Sequence, residues 1–108
     1  MSRLSPPSVP EHELLKRIGG GGFGEVWLAR NRVTEAPRAV KVVYRDGFEG
    51  ARPYERELRG IKRFEPVSRT HPGLVDVLQV GEDQEQGFFY YVMELGCPGS
   101  TDRGTRTR

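Results

Sequence analysis

The sequence has almost no cysteine and little histidine. Cys97 is the one thiol in 108 residues, so no disulfide can form within the chain. With only His12 and His71 to assist it, a structural zinc site is not expected. Neither sign of charge dominates. Seventeen Lys and Arg against 15 Asp and Glu leave a formal +2, which makes no electrostatic case for nucleic acid or an anionic membrane as partner. No apolar run approaches the ~20 residues that span a bilayer, and Met1-Ser2-Arg3-Leu4-Ser5-Pro6-Pro7 lacks the hydrophobic segment of a secretory signal. The expected compartment is the cytoplasm. What the chain does have is glycine, 14 residues, about twice the usual share. A hydrophobic content of 35% supports one small domain with a modest core.

Residues 1–10 hold three prolines and three serines and read as a flexible lead-in. A folded unit is expected over 11–95. Leu14-Leu15-Lys16-Arg17-Ile18 reads as a strand ending at Gly19-Gly20-Gly21-Gly22, and Glu25-Val26-Trp27-Leu28-Ala29-Arg30 as the second arm of a glycine hairpin. After a turn-rich connection over Asn31 to Pro37, Arg38-Ala39-Val40-Lys41-Val42-Val43-Tyr44 is a β-branched run of strand length. Pro53 suits the first turn of a helix running to about Phe64. At ~100° per residue, Tyr54, Leu58, Ile61 and Phe64 share an arc of roughly 120°. Glu55 and Arg59 lie outside that arc, at pairing distance. Glu57 falls inside it, a carboxylate among apolar residues. Leu74 to Val80 and Phe88 to Met93 read as two further strands, joined by a polar turn over Gly81 to Gly87. From Gly96 onward, a hinge-like remnant and Cys97 to Arg108 have no apolar periodicity and read as a disordered tail.

Two features carry chemistry. Gly19-x-Gly21-x-x-Gly24-x-Val26 is a glycine-rich pattern in which missing Cβ atoms let backbone N–H groups approach phosphate oxygens. A flexible hairpin turn would look the same. A dinucleotide-binding motif needs a helix after the glycines, and here a strand follows. A Walker A loop fails too, because no lysine follows a glycine. The second feature is Lys41, which on a period-2 strand shares a face with Ala39 and Val43. An edge strand with the amine reaching water would account for it. The alternative is an anionic partner, and Glu57 is the carboxylate out of place. A buried pair of that kind seldom adds stability, so its presence points to another role.

Taken together these residues resemble the N-terminal lobe of a protein kinase of the bacterial Ser/Thr type. In that family a glycine hairpin covers the ATP phosphates, a strand lysine in a Val-Ala-Ile-Lys-type motif contacts them, and a helix glutamate orients the lysine. Ala39-Val40-Lys41 matches the lysine motif and Tyr54-Glu55-Arg56-Glu57 the helix. His71-Pro72-Gly73-Leu74-Val75 is similar to the segment leading into the fourth strand, and Val92-Met93-Glu94-Leu95 to the end of the fifth strand and the start of the hinge. The resemblance implies an α+β fold, a five-stranded antiparallel sheet with one packed helix. It implies Lys41 and Glu57 as catalytic residues. It also implies an ATP site made by Ile18, Gly19, Gly20, Gly21, Gly22, Phe23, Gly24, Val26, Ala39, Lys41, Met93 as gatekeeper, and the hinge backbone of Glu94 and Gly96.

The family's His-Arg-Asp catalytic loop and Asp-Phe-Gly motif do not occur in these 108 residues, and Asp102-Arg103-Gly104 lies too close to the hinge to stand for the latter. The expectation is a truncated kinase-like chain carrying an ATP half-site, inactive alone. Mg²⁺ and a protein substrate would be relevant only to the full-length family. A non-catalytic nucleotide-sensing or regulatory lobe, and a gene fragment with no selected function, remain open alternatives at this point. Gly20 and Gly22 are expected to make the hairpin floppier than the motif needs.

Overall fold

The computed structural model describes residues 7–21, 24–70 and 75–95. Several expectations therefore lie outside the described residues: those for 1–6, Gly22, Phe23, the segment 71–74, Gly96 and the tail beyond it. Five strands, β1 (His12–Gly20), β2 (Gly24–Asn31), β3 (Pro37–Tyr44), β4 (Val77–Asp83) and β5 (Phe88–Glu94), form one sheet, with α1 (Ala51–Ser68) between β3 and β4 in the chain. The order across the sheet is β1-β2-β3-β5-β4, every pairing antiparallel. This is the five-stranded antiparallel sheet and helix that the sequence implied.

Alternation on the two central strands builds a core on each face. Val40, Val42 and Tyr44 of β3 and Phe88, Tyr90 and Val92 of β5 point one way and cluster with Val9 and Ala29. Val43 and Phe89 point the other way, onto Tyr54 and Leu58 of α1. Because β3 and β5 are covered on both faces, their sequences are nearly continuous hydrophobic runs rather than clean alternations. The link from β2 to β3 is fixed locally. The Asn31 side-chain oxygen accepts the N–H groups of Val33 and Thr34, both at 2.9 Å.

Both ends of the helix and both ends of the fourth strand differ from the sequence reading. The helix starts two residues before Pro53 and runs four beyond Phe64, through Pro66. Its end is held from outside: the Ser68 hydroxyl donates to the Glu65 carbonyl at 2.8 Å and accepts the Val77 N–H at 2.9 Å. The fourth strand begins at Val77, not Leu74, and continues through Gly81 to Asp83, residues first read as turn. Gly81 pairs with Tyr90, whose ring fills the space a Cβ would need, so this glycine is a strand residue for steric reasons. The turn proper is 84–87, closed by Gly87 N–H to Asp83 C=O at 2.9 Å. Glu55 and Arg59 form no ion pair with each other, as is common for solvated helix neighbours.

Tyr54 is only 2% exposed, and its hydroxyl has no hydrogen-bond partner among the described residues. Burial pushes the phenol pKa of Tyr54, Tyr90 and Tyr91 upward, with Glu82 adding to the effect at Tyr54 and Glu57 at Tyr91. The fold thus keeps phenol protons that the unfolded chain releases near pH 10. Their contribution is complete below about pH 10 and is lost as pH rises through the raised folded values. Tyr54→Phe removes an unsatisfied hydroxyl and keeps the ring contacts to Phe48 and Phe89. Urea denaturation should give it an unfolding free energy about 1 kcal/mol above the parent at neutral pH. It should also lessen the alkaline loss.

Candidate functional site

Cross-strand register gathers the residues of interest. One row across the sheet is Gly19, Val26, Lys41, Tyr91 and Val80, and the next on the same face is Lys16, Leu28, Ala39, Met93 and Val77. Gly19, Val26, Ala39, Lys41 and Met93, read from scattered sequence positions, therefore lie on one face. Ala39 is buried, while Val26, Lys41 and Met93 are half-buried. Ile18 sits where the β1–β2 register slips by one residue and is 51% exposed, at the margin of that face. Glu94 closes β5. Its N–H donates to the Asp76 carbonyl at 3.0 Å, so of its backbone groups only the carbonyl could face a ligand.

Lys41 is not on an edge. β3 is hydrogen-bonded to β2 on one side and β5 on the other. The edge-strand account of this lysine therefore does not apply. Its amine meets instead a cleft of about 430 Å³ between the sheet and α1, floored by Val43, Phe89 and Tyr91 and walled by Glu57 and Ile61. Glu57 corrects the sequence reading. It is exposed, not buried, and although it lines the same cleft as Lys41, no ion pair joins the two among the described residues. The physical reason is the helix's seating. Tyr54 and Leu58 hold the buried stripe and Ser68 pins the C-terminal end, leaving position 57 at the stripe's margin where the cleft opens. Glu57 still acts across the cleft, because its charge helps raise the Tyr91 phenol pKa after burial, the larger cause.

The hairpin glycines divide by what they meet. A Cβ on Gly24 would overlap the Val42 carbonyl oxygen, so β2 can approach β3 this closely only with glycine there. A Cβ on Gly19 would make ordinary contact with Val26, and one on Gly21 would meet open space. The Gly21 N–H donates to the Gly24 carbonyl at 3.0 Å and closes the hairpin. Gly20 ends β1, beside the Arg17 guanidinium. Tyr91 and Arg56, which also line the cleft, were not singled out from sequence. The signal for Tyr91 was available only through register, as the residue opposite Lys41. Among the described residues no group of three His, Cys, Asp or Glu side chains is placed to hold a metal ion. No α-helix among them is long and apolar enough to cross a membrane.

No protein-family profile matches the chain. Individual relatives do. It is 30% identical over 86 residues to the serine/threonine-protein kinase PrkC of Bacillus subtilis, covering 77% of this chain and 12% of that protein. It is 33% identical over 93 residues to the DNA damage-responsive serine/threonine-protein kinase RqkA of Deinococcus radiodurans, covering 85% and 13%. It is 35% identical over 85 residues to the serine/threonine-protein kinase PknD of Chlamydia trachomatis, covering 79% and 9%. The chain thus spans about an eighth of the length of the first two relatives.

Three substitutions separate shape from charge at this site. Gly24→Ala should cost about 2 kcal/mol or more in chemical denaturation, because the clash is with backbone, while Gly21→Ala should fall within about 0.5 kcal/mol of the parent. Glu57→Gln, at an exposed and unpaired carboxylate, should shift the melting temperature by no more than about 2 °C. Unfolding of Glu57→Gln where the parent is folded would show the carboxylate to be structural.

Proposed function

The chain belongs to the protein-kinase family as an N-terminal lobe, and from that premise we propose that its Lys41 face is one wall of an ATP site. The observation that carries the reading is the cross-strand row from Gly19 through Val26 to Lys41, with Ala39 and Met93 on the adjacent row. Val26 and Ala39 offer an apolar surface to an adenine ring, with Ile18 at its margin. Met93 stands behind it as gatekeeper. The Glu94 carbonyl, together with Gly96, would meet the adenine edge. Lys41 would meet the α- and β-phosphates, under hairpin N–H groups from Gly19 to Gly24, Gly22 and Phe23 included. The Gly21 N–H would have to leave the Gly24 carbonyl to join them.

For Glu57 to orient Lys41, the two side chains would have to meet across the cleft that both line. In this reading Lys41 and Glu57 are the catalytic residues that the lobe contributes. The full-length relative would transfer the γ-phosphoryl of ATP to a protein Ser or Thr hydroxyl with Mg²⁺. The metal ligands and the residue that positions the hydroxyl would come from sequence these 108 residues do not contain. We assign 11–95 to the lobe, preceded by a lead-in over 1–10 whose Val9 is packed into the lobe's core rather than free of it, and followed by a hinge remnant and tail over 96–108.

A site with one wall leaves much of a nucleotide in water, whereas ligand sites normally bury most of the ligand surface. The expected affinity of the 108-residue chain for ATP is therefore no tighter than roughly 1 mM, about −4 kcal/mol. NMR titration of the parent and Lys41→Ala measures it. Weak binding that is lost in Lys41→Ala supports the half-site. Micromolar binding lost in the variant would instead favour a competent nucleotide-sensing lobe, and binding indifferent to Lys41 would refute the site. No radiolabel should pass from ATP to a generic Ser/Thr protein substrate; incorporation abolished by Lys41→Met would overturn the assignment of the chain as inactive alone.

A further inference from the structure

On the sheet face away from Lys41, one carboxylate joins three strands. Glu25 Oε1 accepts the Trp27 indole N–H at 3.1 Å and the Tyr44 hydroxyl at 3.0 Å. Glu25 Oε2 lies 3.7 Å from Arg17 Nε, and the Glu25 side chain is 16% exposed. Arg17 belongs to β1, Glu25 and Trp27 to β2, and Tyr44 to β3. A carboxylate so far removed from water needs donors of this kind. Yet the Tyr44 and Trp27 rings are already held by their hydrophobic cluster and do not need Glu25 to pack.

Its position suggests what else it does. Glu25 pairs with Gly20 on one side and Val42 on the other, at the neck of the glycine hairpin. The Arg17 guanidinium lies where a Cβ on Gly20 would be, so the arginine covers this glycine from outside. Next to Glu25, Gly24 brings β2 into close contact with the Val42 backbone. The neck is therefore held from the outer face.

We propose that Glu25 is a positioning residue. Through Tyr44, Trp27 and Arg17 it holds the neck of the hairpin at the angle that turns its backbone toward the Lys41 cleft, and so favours binding of nucleotide phosphates there. The statement about phosphates rests on the ATP reading; the statement about the neck does not. Glu25→Ala removes the clamp and also a negative charge, which alone would favour a polyanion. Tyr44→Phe loosens the clamp without changing charge. Glu25→Gln keeps an acceptor for both Oε1 donors and is the conservative control.

Amide hydrogen exchange on the ligand-free chain and titrations with ATP and adenosine test both statements. Exchange at Gly19, Gly20 and Gly21 should accelerate about tenfold in Glu25→Ala and Tyr44→Phe, remain near parental in Glu25→Gln, and be unchanged in β4 and β5. ATP affinity should fall roughly threefold or more in Tyr44→Phe while adenosine affinity holds, since only the phosphates depend on the preorganised hairpin. Parental exchange at the three glycines in both loosened variants would overturn the proposal. So would ATP and adenosine weakening together, the mark of a merely structural residue. If the parent bound neither ligand, the ATP reading would fail and the exchange comparison would still decide the neck. Should Glu25→Ala not fold, Tyr44→Phe and Glu25→Gln carry the same comparison.

Discussion

A lysine in the middle of a fully paired strand is the constraint around which the rest of this structure is arranged. β3 is hydrogen-bonded on both sides, so the Lys41 amine cannot leave sideways into water as it could from an edge. Packing α1 flat against the sheet would strand the charge in an apolar layer at a cost of several kcal/mol. The structure avoids this by leaving a cleft between Lys41 and the helix. The helix reaches the sheet elsewhere, through Tyr54 and Leu58 on Val43 and Phe89 and through Ser68 on Val77. The opening and the accommodation of one charge are the same feature.

That solution makes the helix unevenly held. At its C-terminal end Ser68 and Arg69 both bond Val77, the arginine to the carbonyl at 2.6 Å. Its N-terminal end has no side-chain cap and no carboxylate in the first turn, which carries Arg52 instead. That sign is the opposite of what the helix dipole favours. That half is secured by packing, through the ring contacts of Phe48 with Tyr54 and of Tyr54 with Phe89 and through Leu58. Glu57 rides on the less secured half, opposite a lysine on a rigid strand.

Much of the fold was legible because its strongest signals are local. The β-branched run around Lys41, the aromatic run of β5 and the period of α1 each identify an element without reference to the others. The gathering of Val26, Ala39 and Met93 beside Lys41 followed only from resemblance and needed pairing registers to become a physical statement, and the sheet order came from those registers alone. What sequence misjudged depended on partners distant in the chain. Gly81 looked like turn because its neighbour Tyr90 cannot be seen from its own segment. The helix runs past the expected end near Phe64, and the residue that holds its last turn at Ser68 is Val77, nine positions on. Glu57 looked buried because a wheel gives the direction of a side chain but not whether anything lies there. Glu25 drew no attention at all, since a glutamate in a β-hairpin is ordinary until its three donors are brought to it.

The glycine motif illustrates how such signals mix. Gly24 is required by the backbone of β3, whatever the chain binds, because no other residue permits the approach to Val42. Gly19 and Gly21 have room for a side chain, so steric demands of the fold do not explain them. A pattern read as one phosphate-binding signature therefore contains two physical requirements, one architectural and one left over. Only the residues with spare room can carry information about a ligand. Gly19 lies in the cross-strand row that leads through Val26 to Lys41, and Gly21 lies just beyond the end of β1, where its N–H closes the hairpin.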